Sequence, residues 1–138
     1  MTNTDKHNLV MELLRHQSAG DFDRMLALMT DDAVFEIPFN QEYMAGKAKI
    51  RERMAPSVAR MQGLRFFDFV FRDMADPDWL MVEFKGEATV ATTGRPYRQM
   101  YIALFRFEGD KVALFQEYFS TLELAIACAR VEPVAAKA

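Results

Sequence analysis

Glu117 is the residue of this sequence whose type and setting most suit chemistry. It stands in the run VALFQEYF, two positions from Phe115 and two from Phe119. Successive side chains on a strand alternate faces, so the acid shares a face with Ala113, Phe115 and Phe119. A carboxyl on an apolar wall loses hydration in its charged form, and its pKa rises. It could then take a proton beside a carbonyl, or deliver one to a carbonyl, an imine or a departing hydroxyl. The competing possibility is a salt bridge to Arg53, Arg98 or Arg106. In the preceding run, YRQMYIALFRF, Gln99, Tyr101, Ala103, Phe105 and Phe107 share one face. Tyr101 could donate its hydroxyl to a developing oxyanion, or be a core residue with a satisfied tip. Gln99, one step further out, could orient a polar group of a ligand or belong to a solvated strand end.

Two more side chains bear on such a site. Arg53, in the segment KIRERM, could hold a substrate carboxylate by a bidentate contact or be an exposed helical arginine. His16, three residues after Leu13, could serve in proton transfer or act as a cation at a helix C-terminus. The two histidines, His7 and His16, show neither HxH nor HExxH spacing, so no metal site is expected. There is no Gly-rich phosphate loop and no nucleophile elbow, so no nucleotide cofactor or triad chemistry is expected either.

The elements that must position these residues follow from periodicity. Residues 97–107 and 111–119 are joined by Glu108-Gly109-Asp110, and a glycine between two acids is hairpin chemistry. Upstream, Leu9, Val10, Leu13 and Leu14 recur at helical spacing after a cap at Asn3 or Thr4, and Ser18-Ala19-Gly20 ends that helix. Asp21 opens a short helix over 22–29. Residues 33–39 alternate as a strand with Phe35, Ile37 and Phe39 on one face, and Pro38 marks an edge or an end. A loop is expected over 40–45. Gly46 then leads into a helix whose Ile50, Met54, Val58 and Met61 form an apolar stripe that Pro56 should kink or split. Strands over 64–74 and 79–92 precede the hairpin, and a helix over 122–130 follows it. This order predicts an α+β domain, with helices on one face of a strongly curved antiparallel sheet that wraps a cone.

Length and composition set the outer limits. At 138 residues the chain has room for one domain with a real core, expected over about 7–130, with a frayed tail over 131–138. A net charge of -3, with no basic run, argues against nucleic acid as a partner. A single cysteine, Cys128, excludes an intramolecular disulfide and reads as a small buried hydrophobe. Without an apolar leader or a membrane-length apolar stretch, the expected setting is soluble and reducing, such as the cytoplasm.

Read together, GDFDRMLALMTDDAVFEIP, AGKAKIRERM, FRFEGDKV and the late QEYF resemble the NTF2-like superfamily, in particular its SnoaL-like and ketosteroid-isomerase-like branch. The resemblance covers roughly 7–130. It implies a cone whose curved antiparallel or mixed sheet carries three N-terminal helices over an internal cavity. The positions that hold the catalytic groups of the steroid isomerases fall here on Ile37, Leu13 and Ala103, all apolar, which argues against steroid isomerisation. The strand from Trp79 to Glu87 and the tripeptide Gln116-Glu117-Tyr118 resemble the PhzA/PhzB proteins of phenazine biosynthesis. Their active-site glutamate falls on Glu117 and their active-site histidine on Arg53.

Two functions are consistent with these observations. One is a cofactor-independent isomerase, cyclase or dehydratase acting on a hydrophobic, carbonyl-bearing metabolite through Glu117, with Tyr101, Gln99 and Arg53 orienting it. The expected cavity wall is Leu13, Phe35, Ile37, Met54, Met61, Phe84, Ala103, Phe105, Phe115 and Phe119, with His16 near the mouth. The other is a ligand-binding or assembly module without turnover. In that case the outer sheet face, with Glu83, Lys85 and Glu87, makes a homodimer.

Overall fold

The computed structural model describes residues 1–130 and residue 132, so the tail expected to fray lies, Glu132 apart, outside the described residues. Helix α1 spans Asn3–Ala19. It begins at Thr2, whose hydroxyl accepts the Asp5 N–H at 3.0 Å while the Asp5 carboxylate accepts the Thr2 N–H at 2.8 Å, a reciprocal capping box. It ends at Gly20, whose φ of 74° suits glycine and lets its N–H reach the Gln17 carbonyl at 3.1 Å. Helix α2, Phe22–Ala27, starts under an Asp21 cap. Strand β1 is Met29–Ile37, strand β2 is Glu42–Ala45 after a 3-10 turn, and helix α3 is Lys47–Ala59. The long strands β3 (Met61–Asp73), β4 (Trp79–Val90), β5 (Pro96–Glu108) and β6 (Lys111–Phe119) precede helix α4, Thr121–Ala127.

The six strands lie in the order β2-β1-β6-β5-β4-β3. Every pairing is antiparallel except β1 with β6, which is parallel, so the sheet is mixed. Register shifts in β1, β3 and β5 add the local twist that curves it. The concave face carries the core: Leu13 and Leu14 of α1, Met25 of α2 and Ile50 of α3 pack toward Phe84, Phe105 and Phe115, all essentially solvent-free. Phe105 and Phe115 face each other across the hairpin with ring centroids 4.6 Å apart. Each such side chain contributes roughly 1.5–3 kcal/mol by leaving water.

Five sequence expectations change. Residues 40–45 are not simply a loop, because 42–45 pair with β1 from Val34↔Ala45 to Ile37↔Glu42. Helix α2 stops at Ala27, and Met29 instead opens β1, fully buried and opposite Val112. Met61 leaves the α3 stripe to open β3 opposite Val90. Pro56 sits inside α3 without splitting it. Helix α4 is shorter than 122–130, since Ser120 caps it and Cys128 closes it.

Candidate active site

A pocket of about 640 Å³ lies between the helices and the sheet. Its walls are Phe35 and Ile37 of β1, Arg53, Met54, Ser57 and Val58 of α3, Met61, Leu64 and Phe66 of β3, Tyr97 and Tyr101 of β5, and Glu117 and Phe119 of β6. Gln17, Asn40, Glu42, Arg60, Thr92, Leu124, Cys128 and Arg130 complete it. The volume is that of a small-molecule site. Charged and amide side chains share its lining with the aromatic and aliphatic ones.

Glu117 is 7% exposed and stands directly opposite Ala103 on β5, where a methyl group offers no polar partner. Among the described residues its carboxyl makes no hydrogen bond and no ion pair, and none of the expected arginines pairs with it. Arg106 binds Glu108 at 2.9 Å, and Arg98 is exposed on the opposite strand face. Burial pushes the Glu117 pKa up to about 8 from an ordinary 4.5, with the nearby Arg53 charge pulling the other way.

Arg53 lines the pocket but does not bind Glu117. Its Nε donates to Glu42 Oε1 at 2.6 Å, its Nη2 to Glu42 Oε2 at 3.1 Å, and its Nη1 to Ser57 Oγ at 2.8 Å. This fork holds the Glu42 carboxyl below its ordinary pKa and fixes the guanidinium as a nearby charge. A substrate carboxylate would have to displace Glu42 to claim it. Glu42 was not legible in the sequence because it sits in the short strand read as loop.

Tyr101 is buried, its ring stacked on Phe84 at 4.8 Å and its hydroxyl 2.7 Å from that of Tyr97. Burial pushes Tyr97 up to about 12 and raises Tyr101 well above its ordinary value, so both hydroxyls keep their protons. Gly86 makes room for the ring: a Cβ there would lie 2.8 Å from Tyr101 Cε2 and 3.2 Å from Phe66. Tyr97 escaped the sequence reading although its parity matches Gln99 and Tyr101.

Other expected positions have different duties. Gln99 is buried and clamps the entry to α4, accepting the Ser120 N–H at 3.0 Å and donating to the Ser120 carbonyl at 2.8 Å, so it is not free for a ligand. His16 is buried with Nε2 3.5 Å from the Glu12 carboxylate and does not border the pocket. Leu13, Phe84, Ala103, Phe105 and Phe115 are core behind the wall, whereas Phe35, Ile37, Met54, Met61 and Phe119 form the wall itself. No cluster of three His, Cys, Asp or Glu side chains suited to a metal occurs among the described residues. No helix among them is long and apolar enough to cross a membrane.

The SnoaL-like domain family model matches residues 10–115. An uncharacterised PhzA/B-like protein of Pseudomonas aeruginosa is 26% identical over 133 residues, covering 92% of each chain. The fold is similar to that of a candidate isomerase from Bacillus subtilis, with a TM-score of 0.85, 22% identity, and coverage of 93% of this chain and 95% of that one. It is also similar to a candidate polyketide cyclase from Xanthomonas campestris, with a TM-score of 0.79, 17% identity, and coverage of 90% and 96%. An NTF2-like protein of Burkholderia xenovorans gives a TM-score of 0.73 at 21% identity, covering 92% and 98%. At these identities the structural likeness is one of fold, and the fold is the NTF2-like cone.

Proposed function

The chain belongs to the SnoaL-like domain family, and on that premise we propose that it is a cofactor-independent enzyme in which Glu117 acts as general acid or base on a carbonyl-bearing, largely hydrophobic metabolite. The observation that carries the reading is a carboxyl, buried and without a partner among the described residues, on the wall of a pocket of about 640 Å³. With its pKa near 8, Glu117 is mostly protonated at neutral pH and can deliver a proton to a departing hydroxyl. Its ionised fraction can remove a proton from the carbon beside a carbonyl. In that step the C–H electron pair moves into the carbonyl, the Tyr101 hydroxyl donates to the growing oxyanion, and the Tyr97 hydroxyl supports Tyr101. Return of the proton to another carbon completes an isomerisation, and loss of a β-hydroxyl as water completes a dehydration.

The test is solvent deuterium exchange at the α-carbon of cyclic ketones and enones, followed by NMR. Exchange above the buffer rate that disappears in Glu117→Gln supports the reading. Exchange that Glu117→Gln leaves untouched removes Glu117 from the chemistry.

A second reading, a ligand-binding or assembly module without turnover, is favoured by the apolar residues Leu13, Ile37 and Ala103 at the steroid-isomerase positions. In either case a homodimer through the outer sheet face is proposed. Met100 and Ile102 are 52% and 40% exposed there. They alternate on β5 with buried residues and lie opposite Lys85 and Glu83.

A further inference from the structure

Besides the Glu117 carboxyl, two buried side-chain oxygens lack a hydrogen-bond partner among the described residues: Thr30 Oγ1 and Gln17 Oε1. Thr30 lies in the irregular stretch of β1 between Met29 and Val34, away from the pocket. Gln17 lines the pocket, is only 8% exposed, and has neither end of its amide bonded to another described residue. Burying an amide unpaired opposes folding, and an apolar residue in its place would avoid that cost. Leu13, one helical turn earlier on α1, shows that this face accepts apolar side chains. The backbone gives the amide little freedom to move away, because the Gln17 carbonyl is held by the Gly20 N–H in the helix cap.

We propose that Gln17 is a ligand-recognition residue whose amide takes a hydroxyl of the bound molecule, a contact separate from the carbonyl end at Glu117 and Tyr101. This rests on the reading of the pocket as a small-molecule site and narrows its ligand to a hydroxylated carbonyl compound. A hydroxyl both donates and accepts, so it satisfies the Gln17 oxygen and also receives its NH₂ group. A carbonyl or ether could serve only the NH₂ group and would leave the oxygen unpaired. In the empty pocket water can occupy the same amide. A ligand hydroxyl replaces that water without loss of hydrogen bonds, and a methyl group does not.

The experiment compares ring-hydroxylated 1-tetralones with the methylated counterpart of each, titrated into protein carrying ¹³C-methyl methionine. Met54 and Met61 report on the pocket, and exposed Met100 controls for binding to the outer sheet face. The expected result is that one hydroxylated isomer binds about fivefold more tightly than its methyl partner. Gln17→Met, close in shape, should abolish that preference and raise the Tm of the unliganded protein by about 3 °C. Equal binding of every hydroxyl and methyl pair to the wild type overturns the assignment of Gln17 while leaving the pocket as a binding site. A hydroxyl preference that survives in Gln17→Met also overturns it. If no tetralone moves Met54 or Met61, the small-molecule reading of the pocket fails and this inference fails with it. The wild-type comparison decides even if Gln17→Met does not fold.

Discussion

Replacing Glu117 with glutamine should make the protein more stable at alkaline pH, by an amount that depends on pH in a defined way. In the folded state burial raises the Glu117 pKa to about 8, whereas the unfolded chain titrates near the ordinary 4.5. Below 4.5 both states hold the proton and ionisation costs folding nothing. Between 4.5 and about 8 the unfolded state has released a proton that the folded state keeps, so wild-type stability falls with rising pH at a slope approaching ~1.4 kcal/mol per pH unit. Above about 8 both states are ionised and the loss levels off at about 3–5 kcal/mol. Glu117→Gln has no such titration. Urea unfolding of both proteins from pH 5 to pH 9 gives the difference directly, and it should grow in favour of the variant until about pH 8 and then plateau. A difference that stays flat across that range would falsify the desolvation argument and show that Glu117 ionises in solvent or against a partner.

Three further outcomes follow from the same geometry. Arg53→Met removes the cation whose charge favours ionised Glu117, so the Glu117 carboxyl resonance should titrate at a higher pH than in the wild type; an unchanged midpoint would mean that Glu42 already neutralises the guanidinium. Gly86→Val drives a Cβ into space 2.8 Å from the Tyr101 ring and should cost about 1–3 kcal/mol, read as a fall in Tm with altered near-UV circular dichroism from the displaced tyrosine. Ile102→Glu places a charge at the centre of the exposed apolar stretch of β5. Light scattering should show a dimeric wild type and a monomeric variant, and a monomeric wild type would dispose of the interface.

Local pattern carried the hairpin and the identity of its key acid. Glu117 could be placed among phenylalanines because alternation holds from Ala113 to Phe119, but the turn at Gly109 did not fix which face is inward. Phe107 pairs with Val112 while Phe105 pairs with Phe115, and that one-residue bulge turns Glu117 rather than Gln116 toward Ala103. Helices α1 and α3 were legible from their apolar stripes, although Pro56 proved compatible with an unbroken α3. The short strand β2 was not legible: four residues show too little periodicity, and their pairing with β1 is decided by the sheet. Gln99 illustrates another limit, since strand parity put it correctly on the inner face but could not reveal that Ser120 would occupy both ends of its amide.

What the sequence determined by itself is the order of every element except β2, the α+β class with a curved sheet, and the strand face that Glu117 shares with Phe115 and Phe119. These depend on interactions between residues near one another along the chain and on the two periodicities of helix and strand. Tertiary structure alone decided what surrounds that acid. The parallel pairing of β1 with β6 brings Phe35 and Ile37 into the pocket wall beside Glu117, while β2 delivers Glu42 to Arg53 and so keeps the guanidinium from pairing with Glu117. The same closure leaves the Gln17 amide unpaired at the end of α1. Whether a buried polar group is satisfied depends on partners distant in sequence, and only the packed chain brings them within hydrogen-bonding distance.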